Sequence, residues 1–65
     1  MMHTHPFYVG DIVEVDGARG EVVGRVRNRE YDIIESVTVR FLDGTIQGFD
    51  ESEFIDIDIV KEAAK

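Results

Sequence analysis

No cysteine occurs among the 65 residues, and that one absence removes a disulfide framework, a thiolate zinc site and a cysteine nucleophile together. Stability must come from packing alone. Histidine is confined to His3 and His5, so Ser36 and Ser52, the serines available as nucleophiles, have no imidazole near them in sequence. No catalytic residue is assigned, and the chain is expected not to be an enzyme. The His-x-His pair supplies two ligands, which leaves a tetrahedral site half empty. The alternating ligands and central glycine of a calcium loop are also missing, so neither metal nor cofactor is expected. No window reaches the ~18 apolar residues of a membrane span, and MMHTHPFYVG lacks a basic start followed by an apolar run. Together with the lack of cysteine, this leads us to expect a cytoplasmic protein.

Bases are scarce as well: seven Lys and Arg stand against fourteen Asp and Glu, for a net charge of −7. The spread is uneven. Residues 1–18 sum to −3, 19–40 to +1, 41–60 to −6 and 61–65 to +1. Such a field repels nucleic acid and anionic lipid at long range and favours basic partners. It also serves solubility.

What is present is a β pattern. Val13 and Val15 share one strand face, Asp16-Gly17 tolerates positive φ, and Glu21 to Val26 forms the return strand of a hairpin, with Gly20 as a second turn position. Gly24 marks a bulge or bend. Ile33 to Leu42 is rich in β-branched residues, and Val37, Val39 and Phe41 alternate with polar neighbours. Asp43-Gly44 turns the chain into Thr45 to Phe49. Asp50-x-x-Glu53 has the spacing of a capping box, which predicts one 3-10 turn. Phe54 to Ile57 then forms a last strand. Val13, Val15, Val22, Val26, Val37, Val39, Phe41, Ile46, Phe49, Phe54 and Ile57 are the expected core, with Phe7, Tyr8 and Val9 lying over its mouth. The expected organisation is an N-terminal tail over 1–8, a domain over 9–58, and a tail or short helix over 59–65. A chain this small holds one domain, burying only about 60% of its unfolded surface.

Five short strands, an early glycine turn, a central Asp-Gly hairpin and a helical turn before the last strand follow the order of a five-stranded SH3-like barrel. Gly10, Asp11, Val13, Val15, Gly17, Gly20, Val22, Val26, Val37, Val39, Phe41, Phe49, Ser52 and Phe54 give residues 10–57 a pattern that resembles KOW and Tudor-type domains. A KOW resemblance implies contact with RNA or protein on a ribosome or polymerase. A Tudor resemblance implies an aromatic cage for methylated lysine or arginine, for which Tyr8 and Tyr31 are the aromatics outside the expected core.

Two functional expectations follow. In the first, the chain is a protein-interaction adaptor or regulator. Asp43, Asp50, Glu51, Glu53, Asp56 and Asp58 form an acidic surface for a larger basic protein, and Tyr8, Tyr31 or Leu42 supplies an anchor. In the second, Arg25, Arg27, Arg29 and Arg40 form one basic patch that grips nucleic-acid phosphates. Cross-strand pairing of these arginines with Glu21 and Glu35 is the plainer account. Basic patch against acidic end would also allow a homo-oligomer.

Overall fold

The computed structural model describes residues 7–31 and 33–63. His3 and His5, with most of the expected N-terminal tail, lie outside the described residues, as do Ala64 and Lys65 at the other end. Five strands, β1 (Ile12–Val15), β2 (Ala18–Asn28), β3 (Ile33–Phe41), β4 (Ile46–Asp50) and β5 (Ile57–Lys61), form an all-antiparallel sheet in the order β4-β3-β2-β1-β5. Both β4 and β5 are edges, so the sheet is not closed. A 3-10 helix (Glu51–Asp56) joins them.

The turns form where local chemistry demands them. Asp16 and Gly17 have φ of 51° and 83° and connect β1 to β2 as a two-residue loop, the geometry whose twist suits a hairpin and which Asp-Gly adopts at least cost. Asp50 caps the 3-10 helix: its side chain accepts from the Ser52 N–H at 3.2 Å, while the Asp50 N–H donates to Glu53 Oε1 at 3.1 Å. This is the reciprocal box expected from the spacing.

Gly20 has a different role from the one expected. It is a buried strand residue at which an added Cβ would sit 2.7 Å from Val39 Cγ1 and 2.8 Å from the Arg40 carbonyl oxygen. Close approach between β2 and β3 fixes glycine there, rather than a turn.

Phe7, Val13, Val15, Val22, Val37, Val39, Phe49 and Ile57 form the buried core, against which Ile34, Phe41, Phe54 and Ile59 pack. Two expected members are on the surface: Val26 is 54% and Ile46 62% exposed. The cause is register. An irregularity between Val22 and Gly24 inserts one residue into β2, and a one-residue shift moves every following side chain to the other face. Val26 thus lies opposite Ser36 on the outer face, whereas Arg25 lies opposite fully buried Val37. Ile46 lies opposite exposed Arg40 and is three residues from buried Phe49, so it too faces outward.

The chain end also departs from expectation. The 3-10 helix runs on through Phe54, Ile55 and Asp56, and the last strand begins only at Ile57. Residues 59–61 are strand, not a tail or short helix, because Ile57 and Ile59 pair with Val15 and Val13 and join the buried face. Pairing with β1 outweighs the weak helical preference of a segment this short.

Candidate binding groove

β1 and β2 end in one tight turn, β3 and β4 in another, and the two turns are tied by a 3.1 Å hydrogen bond from the Leu42 N–H to the Arg19 carbonyl oxygen. Between them and the 3-10 helix, part of the sheet's inner face stays uncovered. The result is a groove of about 530 Å³. Val15, Ala18, Leu42, Phe41 and Phe49 supply its apolar part, and the last two rings meet edge to face with centroids 6.4 Å apart. Asp16, Asp43, Glu53 and Asp56 supply four carboxylates, with Thr45 and Gln47 between.

Three of the four acids are positioned by distinct devices. Asp16 sits in the turn at positive φ. Asp43 Oδ1 accepts from the Thr45 N–H at 2.9 Å. That backbone bond, then the Thr45 side chain, holds the Asp43 carboxyl below its ordinary value of 3.8, since hydrogen bonds to a carboxylate favour its charged form. Glu53 is oriented by the capping box. Among the described residues, Asp16 and Asp56 make no side-chain hydrogen bond or ion pair. Arg19 also lines the groove, but its guanidinium lies 4.0 Å from Glu14.

Of the residues named from the sequence, Asp43, Glu53, Asp56 and Leu42 meet here. Asp50 and Glu51 instead line a separate depression with Glu35, Ser36 and Ser52. Asp58 lies on β5 opposite Glu14. Tyr8 and Tyr31 are both away from the groove: Tyr8 stacks under the Arg25 guanidinium, 4.7 Å from its ring centroid, and Tyr31 lies in the β2–β3 turn, its N–H 3.3 Å from Asn28 Oδ1. Sequence reading missed Asp16, Ala18 and Arg19 as groove residues. Asp16-Gly17 was legible as a turn, but not as a turn that meets another one.

The four arginines do not make one patch. Arg25 donates to the Phe7 carbonyl at 2.7 Å from the inner-face side of β2. Arg40 is on the outer face, 3.8 Å from Glu21. Arg27 pairs in register with Ile34, and Arg29 has left the strand for the turn.

Sequence reading also missed Asp11, which is 1% exposed. Its Oδ2 accepts from the Tyr8 N–H at 3.0 Å and its Oδ1 from the Ala63 N–H at 2.7 Å, tying the two chain ends together. The signal was there, because Asp11 shares the period-two face of Val13 and Val15.

Among the described residues no group of three or more acidic or imidazole side chains is arranged to hold a metal ion, and no helix is long and apolar enough to cross a membrane. The chain matches no protein-family model, no curated protein and no solved structure.

Proposed function

We propose that this chain is a non-catalytic binding module, an SH3-like domain that acts as a protein-interaction adaptor or regulator on a larger partner with a basic surface. The order β4-β3-β2-β1-β5 with a 3-10 helix before β5 supports the SH3-like reading. The groove supports the interaction. It combines apolar area, which drives association, with four carboxylates, which select and orient a cationic partner. Exposed Leu42, at 84%, supplies an apolar contact at its rim. Nucleic-acid binding has less behind it, since Arg25 and Arg40 are directed to Phe7 and Glu21 on opposite faces.

Neutral isosteres test this without disturbing the fold. Asn at 43 keeps a carbonyl acceptor for the Thr45 N–H, and Gln at 53 keeps one for the Asp50 N–H. Fluorescence anisotropy with a labelled library of basic peptides should show binding at ~20 mM salt that weakens as screening increases. D43N/E53Q/D56N should abolish it. Binding unchanged by both salt and these substitutions would refute the reading.

A further inference from the structure

We infer that the groove receives an arginine side chain of the partner, next to an apolar residue that packs on Leu42. This rests on the protein-interaction reading and names the chemistry of its occupant.

Three observations carry it. First, the floor is aromatic: Phe41 is half-buried and stands edge to face with buried Phe49, so an occupant meets ring surface as well as solvent. A guanidinium is planar and weakly hydrated and stacks on such a surface, whereas an ammonium loses more hydration there. Second, acids come from both sides, Asp16 and Asp43 from the two turns and Glu53 and Asp56 from the 3-10 helix. A forked donor can satisfy carboxylates in more than one direction, and a point charge does so with less geometric specificity. Third, two of the four carboxylates are left unpaired by the described residues. Asp16 and Asp56 have no side-chain partner among the described residues, and the Arg19 guanidinium is placed at Glu14. With a net charge of −7, a second copy of this chain is the less favourable source of the cation.

The groove is also unlike an aromatic cage. Tyr8 and Tyr31 lie elsewhere, and Phe49 is 5% exposed, which leaves Phe41 as the accessible ring. Carboxylates surround that ring, so charge and hydrogen bonding, rather than enclosure by several ring faces, do the selecting.

The test is an amide NMR titration of the full chain at ~20 mM salt with three blocked peptides that differ at one position, Gly-Leu-Xaa-Gly with Xaa as arginine, lysine or citrulline. The arginine peptide should shift the amides of Ala18, Arg19, Leu42, Thr45 and Gln47. Citrulline keeps the shape and removes the charge, and should bind about tenfold more weakly or worse, the loss expected for a charge-assisted hydrogen bond. Lysine should fall between. D16N/D56N should remove the preference for arginine while the fold persists, because asparagine tolerates the positive φ at position 16. Equal binding of arginine and lysine, or an arginine preference that survives D16N/D56N, overturns the inference. Shifts confined to Glu35, Ser36 and residues 50–52 overturn it too, yet leave the acidic-surface reading standing. Groove shifts that follow protein concentration alone assign the site to a second copy and overturn it. Failure of every basic peptide to bind removes both readings.

Discussion

Replacing Asp11 with alanine should cost this domain a large part of its stability. The carboxylate is 1% exposed and accepts from two backbone N–H groups, Tyr8 at 3.0 Å and Ala63 at 2.7 Å. These donors lie on opposite ends of the chain, and Ala63 is 52 residues away. Alanine leaves both without an acceptor, at ~1–3 kcal/mol for each buried donor. Two effects reduce the sum: both donors are only partly buried, and removing the carboxylate recovers its own desolvation cost. A net loss of about 2–4 kcal/mol follows. A domain of this size holds roughly 3–5 kcal/mol in total, so D11A should be near its unfolding midpoint without denaturant. Urea denaturation measures the loss. Amide hydrogen exchange locates it, since Tyr8, Ala63 and the β1–β5 amides should lose protection first. A stability change under ~0.5 kcal/mol, the range of an ordinary surface substitution, with Ala63 protected as before, would refute the latch.

Gly20→Ala should cost ~1–3 kcal/mol, the usual range of overpacking, because the new Cβ meets the Arg40 carbonyl at 2.8 Å and the Phe41 Cα at 3.1 Å. A melting temperature equal to the parent's would contradict that geometry. Phe49→Ala should cost ~3–5 kcal/mol and Phe41→Ala less, since Phe41 is only half-buried; urea midpoints in the reverse order would disprove the burial pattern. Val26→Thr and Ile46→Thr should stay within ~0.5 kcal/mol, both side chains being exposed on the outer face. Asp43 should titrate below 3.8, because the Thr45 backbone and then its side chain favour the carboxylate. The unfolded chain then takes up this proton more readily, so the turn's contribution is complete above 3.8 and is lost as pH falls through the lower folded value. A carboxyl-carbon NMR titration with its midpoint at or above 3.8 would contradict the Thr45 bonds.

What the sequence made legible is what neighbouring residues decide among themselves. Asp16-Gly17, Asp43-Gly44 and Asp50-x-x-Glu53 are local bargains between side chain and backbone, and each appears in the structure where its spacing placed it. β3 was legible for the same reason, since its alternation needs no partner to be read. Register was not. Gly24 marked the bulge, and the irregularity at Val22/Gly24 falls there, but which side chains it turns inward depends on pairing with β3: after it Arg25, not Val26, lies opposite buried Val37. That shift accounts for exposed Val26 and for Arg25 lying on the face opposite to Arg40. The groove was half legible: the acidic run from 41 to 60 supplied Asp43, Glu53 and Asp56, but the β1–β2 side depends on the bond between Leu42 and Arg19, 23 positions apart in the numbering.

The latch and the groove lie at opposite ends of β1, and this placement determines how each can be perturbed. At the Asp11 end, Phe7 closes the core against Phe54, ring centroids 5.2 Å apart, and Arg25 holds the Phe7 carbonyl. At the Val15 end, the apolar floor of the groove is itself the edge of the core, through Val15 and Phe49. Floor residues therefore carry stability and binding at once, and their truncation cannot separate the two. The rim can. Asp16, Asp43, Glu53 and Asp56 are outside the buried core, and a neutral isostere at each removes charge while preserving whatever backbone bond it makes. A loss of basic-peptide binding in those of these variants that keep the parent's melting temperature is a measure of recognition, because the buried core and the strand pairing are left as they were.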